Sequence, residues 1–278
     1  VKCRAFLMEW FEEFLRLYFR LGIEEAYKFK YKNIPSKLYK YQPYEENRIS
    51  NIINKKLWFT MPKDMNDPFD SRGVCWNTDE IEDFLKTRVP KDKIKEFGSI
   101  DSIVDGAIAS LRNNIKITCF SEEIISMPMW SHYANNHKGF CIEYDFTRLS
   151  YENDLTKYLF PVGYESHRYD ITNLFKMTFS EPYDPRVKLL YFLMNLKHSS
   201  WSYEKEWWII KMRLPEEKEF TSGLEDCPLK PTAIYLGVNF DKNEVHSVKE
   251  KLKGLDIPIY ALKVSNSRFF DIELEPVN

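Results

Sequence analysis

The sequence predicts an α+β protein in which a split, mixed β-sheet is interleaved with helices and preceded by an N-terminal amphipathic helix. Two observations favour this class over a doubly wound sheet. Short strand-like segments alternate with helical ones at irregular intervals, and no GxGxxG or GxxxxGK motif occurs. A chain of 278 residues, 44% of them apolar, can bury a full core. We therefore expect a helical extension over residues 1–34 and one α+β domain over residues 35–278.

The composition argues against several classes of function. The net charge is −2, and the 40 basic residues are scattered among 42 acidic ones, so no basic field attracts nucleic acid or a membrane surface in bulk. The five cysteines include no CxxC pair, which is typical of reduced, buried thiols rather than of a zinc or redox site. Charged residues interrupt the longest apolar stretch, so we expect no membrane span, no signal peptide and a cytoplasmic location.

Residues 4–30 predict an amphipathic helix, because apolar residues recur there at steps of three and four. The apolar stripe consists of Leu7, Trp10, Phe11, Phe14, Leu17, Tyr18 and Leu21. Such a helix either packs on the main domain or presents a face to a protein partner. We expect packing within the chain, because large exposed apolar patches are uncommon on soluble monomers.

Beyond Pro35 the predicted elements alternate in type. Strands are predicted at residues 37–41, 57–61, 116–120, 140–146, 159–165, 207–214, 233–240 and 258–265. Helical segments are predicted at residues 45–54, 79–114, 129–135, 185–198 and 242–253. Residues 215–230, rich in Glu and Pro, are expected to form a solvated loop.

Three blocks of sequence place aromatic residues beside ionisable groups that a core would not choose. They are NDPFD at 66–70, MWSHYANNHKGFCIEYD at 129–145 and WSYEKEW at 201–207. We expect the three blocks to meet in one cleft. Asn66, Asp67 and Asp70 also fit an Asx turn before Pro68, which would make the first block a support for that cleft.

The third block contains two carboxylates separated by one residue. On an extended strand, Glu204 and Glu206 would point to the same face. One carboxylate could then stabilise positive charge that develops in a reaction, while the other orients an acceptor. The alternative is an exposed strand edge with no catalytic role. The flanking Trp201, Tyr203 and Trp207 favour a partly desolvated site.

The remaining motifs predict neither a metal site nor a hydrolase of the nucleophile-elbow type. His132 and His137 are five positions apart, which is poor spacing for two ligands on one helical face. Ser131 lacks the GxSxG context. A nuclease would need clustered acids for Mg²⁺, and only the NDPFD block offers any.

In order and spacing, these blocks resemble the bacterial family called domain of unknown function 2971. The resemblance covers residues 37–265. It rests on LYKY (38–41), LWFTMPKDMNDPFD (57–70), CFSE (119–122), MWSHYANNHKGFCIEYD (129–145), YEKEW (203–207) and YLG (235–237). The layout is also similar to the ADP-ribosyltransferase superfamily, which uses a first-strand His or Arg, a second-strand Tyr or Ser, and a late Glu. That likeness implies an ADP-ribosyltransferase-like split sheet with NAD as the substrate.

Five residues are expected to bind the nucleotide, four of them from the resemblance. Tyr39 and Lys40 fall on the first strand, where the superfamily grips the NAD ribose or phosphates. Lys40 departs from the His or Arg of that pattern, and a lysine lacks the bidentate fork of arginine. Trp130 and Ser131 would supply a stacking surface and a hydroxyl for the nicotinamide. The fifth residue, His137, is assigned from its position at the helix end, where it could bond substrate or cap the helix.

The same resemblance implies three catalytic residues. Glu206 takes the late acidic position, Glu204 lies beside it, and Tyr133 supplies a hydroxyl at the nicotinamide. Family members commonly follow the Glu-Trp pair with Arg, whereas Trp208 stands here. This departure removes a phosphate-gripping group from the strand.

Two functions therefore follow from the sequence. The first is an NAD-dependent, ADP-ribosyltransferase-like protein that modifies a protein or RNA acceptor or hydrolyses NAD, and the resemblance extends to toxins and phage-defence effectors. The second is a non-catalytic module that binds a nucleotide or an RNA end by stacking and docks a partner protein through the N-terminal helix. Lys40 and Trp208 favour the module, whereas the pair Glu204 and Glu206 favours catalysis.

Overall fold

The computed structural model describes residues 2–88, 90, 98–177, 194–267 and 271–277. Its helices are α1 (Lys2–Leu21), α2 (Ile23–Lys32), α3 (Glu46–Ile53), α4 (Thr78–Lys86), α5 (Ile100–Asn113), α6 (Met127–Tyr133), α7 (Asp154–Lys157), α8 (Thr172–Met177) and α9 (Val245–Leu252). Short 3₁₀ segments lie at Pro62–Asp64, Phe146–Arg148, Ser199–Glu204 and Lys253–Leu255.

The strands alternate with these helices along the chain. They are β1 (Leu38–Gln42), β2 (Lys56–Phe59), β3 (Val74–Cys75), β4 (Ile115–Ser121), β5 (Phe140–Tyr144), β6 (Leu159–Pro161), β7 (Gly163–Glu165), β8 (Tyr169–Asp170), β9 (Leu196–His198), β10 (Glu206–Met212), β11 (Gly223–Asp226), β12 (Ala233–Leu236), β13 (Ile259–Val264) and β14 (Ile272–Pro276). The predicted α+β class, with a large mixed sheet and an N-terminal helix, is confirmed.

Among the described residues, eight strands form the main sheet, in the order β14-β13-β12-β5-β1-β4-β10-β6. The sheet is mixed, because β12 and β13 run in parallel while the other neighbours are antiparallel. β10 pairs with β4 over its whole length, whereas β1 meets β4 at one position, Tyr39 opposite Ser121. Ser121 in turn lies opposite Glu206. Tyr39, Ser121 and Glu206 therefore form a row on one face of the sheet.

Strand β10, which lies between β4 and the edge strand β6, is covered on both faces, and this burial explains its nearly continuous apolar run. Successive side chains point to opposite faces. Trp208 packs into a core with Phe11 and Ile81, and Trp207 packs into a second core with Phe120 and other residues on the opposite side. The carboxylate of Glu206 thus lies on the Trp208 side of the sheet, at the edge of the first core.

The N-terminal segment forms two helices that pack on the first core. Gly22, with a φ of 98°, breaks the single helix that the sequence predicts. The ring of Phe14 lies edge-on to Phe160 at 5.7 Å, and the ammonium of the buried Lys30 donates to the carbonyl oxygen of Thr156 at 2.7 Å. Trp10, Phe11 and Phe14 of the stripe are therefore buried within the chain, whereas Leu21 at the end of α1 is exposed. In the part of the chain described, no helix has the length and apolar character needed to cross a bilayer.

Several elements differ from the sequence prediction, and pairing partners explain the differences. Residues 159–165 form two strands, because β6 pairs with β10 whereas β7 pairs with β9. Leu196–His198 is a strand and not the end of a helix. Residues 185–193 of that predicted helix lie outside the described residues, and Met194, which follows them, is buried. The expected solvated loop at 215–230 contains β11, which pairs with β2.

Candidate functional site

A buried ion-pair network lies where β9, the 3₁₀ segment Ser199–Glu204 and the start of β10 meet. The ammonium of Lys197 donates to Glu204 Oε2 at 2.6 Å and to Glu206 Oε2 at 2.9 Å. The exposed fractions of the three side chains are 2%, 0% and 6%, respectively. Taking such charges out of water costs several kcal/mol for each ion, and only close pairing offsets the cost. The network is therefore a specific arrangement and not an incidental surface contact.

The two carboxylates meet at Lys197, but the extended strand predicted for Glu204 is wrong. Glu204 ends a 3₁₀ segment, Lys205 adopts a left-handed conformation with φ 44° and ψ 56°, and Glu206 begins β10. The chain turns at Lys205, which is why carboxylates two positions apart can share one ammonium. The backbone on both sides is anchored, since Ser121 Oγ donates to the Glu204 carbonyl oxygen at 2.6 Å and the Glu206 N–H donates to Tyr164 OH at 2.9 Å.

Tyr133 completes the network from the last residue of α6. Its O–H donates to Glu204 Oε1 at 2.5 Å, and Asn66 Nδ2 donates to the same phenol oxygen at 3.2 Å. Beside this contact, His132 Nδ1 lies 3.1 Å from Tyr203 OH. The three sequence blocks that were predicted to meet are therefore joined by side-chain hydrogen bonds.

Asp70 adds a further carboxyl group with unusual surroundings. It is fully buried, and among the described residues neither of its carboxyl oxygens has a hydrogen-bond partner. Burial, reinforced by the nearby charges of Glu206 and Asp67 and opposed by that of Lys197, raises the pKa of Asp70 to about 7. Asp67 forms the predicted Asx contact, because its Oδ1 accepts from the Phe69 N–H at 2.8 Å.

Two carboxyl groups at this site have raised pKa values. Burial and the charge of Glu206 raise the pKa of Glu204 to about 8. Burial opposes the charge on Lys197, but the carboxylates of Glu206, Asp70 and Glu204 outweigh it and raise the pKa of the ammonium. Lys197 thus stays charged, and the raised pKa values make the carboxylates of Glu204 and Asp70 stronger bases than ordinary carboxylates, as groups in acid–base sites often are.

The structure separates the two first-strand residues that were predicted to hold the nucleotide. Tyr39 shares a sheet face with Glu206, whereas Lys40, one position further, points to the opposite face. The ammonium of Lys40 donates to Thr118 Oγ1 at 2.7 Å and lies 5.3 Å from the centre of the Phe120 ring. The Lys40 side chain therefore packs on the opposite face of the sheet and does not contact Glu206.

The side chains of Trp130, Ser131 and His137 form hydrogen bonds or ring contacts within the chain, at α6 and in the loop that follows it. Trp130 is fully buried and its Nε1 donates to the Ile124 carbonyl oxygen at 2.7 Å. Ser131 Oγ lies 3.1 Å from His137 Nε2, and the His137 ring stacks on Trp130 with centroids 6.4 Å apart. These contacts fix the loop that follows α6. Trp130 presents no exposed ring on which the predicted nicotinamide could stack.

A cavity of about 300 Å³ opens beside Lys197. Its lining includes Phe69 from the NDPFD block and Arg72 just after it, Arg168 from the turn before β8, and Lys197 and His198 from β9. The apolar pattern of residues 185–198 predicts a helix, so it does not identify Lys197 as a site residue. The signal that could have found it is LKHSSW, a lysine just before an aromatic block rich in carboxylates.

The described residues contain no group of three or more His, Cys, Asp or Glu side chains arranged to hold a metal ion.

Residues 129–209 match the model of a family described as a protein of unknown function, DUF2971. This segment contains Tyr133, Lys197, Glu204 and Glu206, so most of the buried network lies within the match. The finding confirms the family that the sequence blocks resemble. No curated protein and no solved structure matches the chain.

Proposed function

Because residues 129–209 match the model of DUF2971, a family of unknown function, we propose a function from the site itself. This chain binds NAD and either transfers its ADP-ribose to a macromolecule or hydrolyses the NAD. The observation that carries the proposal is the buried network in which Lys197 holds Glu204 and Glu206 while Tyr133 bonds Glu204. Buried carboxyl groups with perturbed pKa values, such as Glu204, are typical of reaction sites.

The proposed reaction breaks the bond between ribose and nicotinamide. The bonding electron pair leaves with the nicotinamide, and positive charge develops on the ribose. Glu206 stabilises this charge electrostatically. Water or an acceptor hydroxyl then bonds to the ribose carbon and releases a proton. Glu204, whose raised pKa makes its carboxylate a stronger base, is the group that takes up that proton.

The sheet also supports a more specific proposal, that the fold is a split β-sheet like that of the ADP-ribosyltransferases. β1 and β4 pair only where Tyr39 faces Ser121, so the sheet is weakly joined between the first strand and the strand beside Glu206. In the resembled layout, the first strand and the late Glu face one cleft. Tyr39 and Glu206 share one face here. A role as a toxin or phage-defence effector belongs to the same proposal and rests on the family resemblance alone.

One observation favours the second candidate, a non-catalytic nucleotide- or RNA-binding module that docks a partner. Lys197 already lies 2.9 Å from Glu206 and balances the charge that the reaction would need. A second fact also favours this candidate: the polar atoms of Trp130 and Ser131 and the Nε2 atom of His137 already have partners within the chain. In this candidate the ion pair holds the shape of a binding cleft and takes no part in a reaction.

One experiment separates the candidates. Purified protein is incubated with whole-cell extract and NAD that is labelled in the adenylate half. Label on protein or RNA indicates transfer, and free labelled ADP-ribose together with nicotinamide indicates hydrolysis. The double variant Glu204→Gln, Glu206→Gln serves as the inactive control. If wild-type protein and the double variant both bind NAD and leave it intact, the enzyme proposal is wrong and the binding-module proposal takes its place.

A further inference from the structure

The cavity beside Lys197 has a cationic wall. Arg72, Arg168, His167 and His198 contribute to its lining, with Glu165 as an acidic member. Within the described ranges, the guanidinium groups of Arg72 and Arg168 form no hydrogen bond or ion pair with a protein acceptor. Two unneutralised guanidinium groups at one cavity favour an anionic ligand, because arginine offers a planar fork of donors that matches phosphate oxygens.

The cavity also carries an exposed aromatic ring. Phe69 retains 49% of its surface, although it belongs to a loop whose neighbour Asp70 is fully buried. The guanidinium carbon of Arg168 lies 5.1 Å from the centre of that ring. Aromatic rings and guanidinium planes are the surfaces on which nucleic-acid bases stack in a sequence-tolerant way. The lining therefore combines groups for a phosphate with a surface for a base.

We propose that this cavity binds the phosphate groups of a free nucleotide, with Arg72 and Arg168 as the phosphate-binding residues and Phe69 as the stacking surface for the base. The inference deepens the proposed function and rests on it for the identity of the nucleotide as NAD. It replaces the first-strand position, where Lys40 faces the opposite core.

Lys197 connects the cavity with the carboxyl network. It lines the cavity, and its ammonium donates to Glu204 and Glu206. An ammonium has three N–H groups, so one donor remains after these two bonds. The phosphate site and the reaction site thus share one residue, which fits a ligand whose phosphates and reacting sugar belong to the same molecule.

Calorimetric titration tests the phosphate site without requiring any reaction. The probes are ADP-ribose, AMP, pyrophosphate and adenosine, at low ionic strength. Wild-type protein should bind the first three, and adenosine should bind more weakly. Arg72→Ala and Arg168→Ala should each weaken ADP-ribose binding by about tenfold or more, the scale of a lost charge-assisted hydrogen bond. Phe69→Ala should weaken AMP binding more than pyrophosphate binding.

The matched control is Arg148→Ala, which removes an exposed arginine paired with Asp145 away from the cavity. It should bind ADP-ribose as wild type does. Because Arg72 and Arg168 are exposed, their substitution should leave the melting temperature unchanged. The site assignment is wrong if the double variant Arg72→Ala, Arg168→Ala binds ADP-ribose as tightly as the control. It is also wrong if wild-type protein binds none of the probes at millimolar concentration.

Nicotinamide release, measured separately, distinguishes this inference from the proposed function. If the double arginine variant releases nicotinamide with an unchanged KM, the phosphate site is wrong and the proposed enzyme stands. If ADP-ribose binding requires both arginines but wild-type protein releases no nicotinamide, the phosphate site stands and the proposed enzyme falls.

Discussion

The ammonium of Lys197 lies 2.6 Å from Glu204 Oε2, and the side chains of both residues are shielded from solvent. A buried pair of this kind contributes little net stability compared with apolar residues of the same shape, but losing one partner leaves an uncompensated charge. The pair therefore constrains both the stability of the fold and the protonation of the site.

The first prediction concerns Lys197→Met. The substitution removes the cation that balances Glu204 and Glu206, so the free energy of unfolding at pH 8 should fall by about 3–5 kcal/mol. The loss should be smaller at pH 5, where the carboxyl groups can take up protons. Urea unfolding at both pH values measures the difference. Lys211→Met, which breaks a half-exposed pair with Glu225, should cost about 1 kcal/mol or less. Equal losses in the two variants would contradict the prediction.

The second prediction concerns the pH dependence that Asp70 imposes. Its folded-state pKa of about 7 lies above its ordinary value of 3.8. The folded protein thus retains a proton that the unfolded chain releases between these values, and stability falls as the pH rises from 4 to 7. Each unit of pKa difference corresponds to about 1.4 kcal/mol. Asp70→Asn should flatten this part of the stability curve, measured by urea unfolding at successive pH values. A variant with the same slope as wild type would rule out the assigned titration.

The third prediction concerns Tyr133→Phe. The variant keeps the ring and removes the O–H that donates to Glu204 Oε1 at 2.5 Å. A lost hydrogen bond to a buried carboxyl group should cost about 1.5–3 kcal/mol of stability. It should also move the pH profile of nicotinamide release, because the protonation of Glu204 changes. Tyr203→Phe, which loses only an exposed contact with His132, is the control. A normal pH profile in Tyr133→Phe would show that the phenol does not act through Glu204.

The fourth prediction concerns the N-terminal helices. Phe14 is 3% exposed in the first core, so Phe14→Ala should cost about 3–5 kcal/mol in thermal or urea unfolding. Leu21, on the same helix, is 63% exposed, and Leu21→Ala should change stability by about 0.5 kcal/mol or less. Deleting residues 1–34 should expose apolar surface and reduce solubility. If the truncated protein is soluble, monomeric and as stable as the full chain, packing of the N-terminal helices does not stabilise the fold.

The sequence predicts those strands whose own apolar pattern is long enough to define them. β4, β5 and β10 were recognised because long apolar or alternating runs fix them locally. β9 and β11 were not recognised, because each is a short strand whose pairing partner lies far away in the chain. Their strand conformation comes from tertiary contacts that override local propensity.

The site was partly predictable for the same physical reasons. Clustering of aromatics with carboxylates correctly brought Tyr133 and Glu204 together. The left-handed turn at Lys205 and the arrival of Lys197 from a separate strand leave no local pattern. The burial of Trp130 was missed because a tryptophan on a short helix has the same sequence signature in a cleft wall and in a core.

The most direct test of the central proposal compares Glu206→Gln with Glu225→Gln in a nicotinamide-release assay. Glu225 is a matched control, because it is a partly buried carboxylate held by Lys116 at 2.9 Å and Lys211 at 2.7 Å in another part of the fold. Glu206→Gln should lower turnover by about 10²-fold or more, since it removes the charge that stabilises the transition state. ADP-ribose binding should change little, and Glu225→Gln should turn over as wild type does. Release of nicotinamide by Glu206→Gln at the wild-type rate, or no release by wild-type protein, would contradict the account.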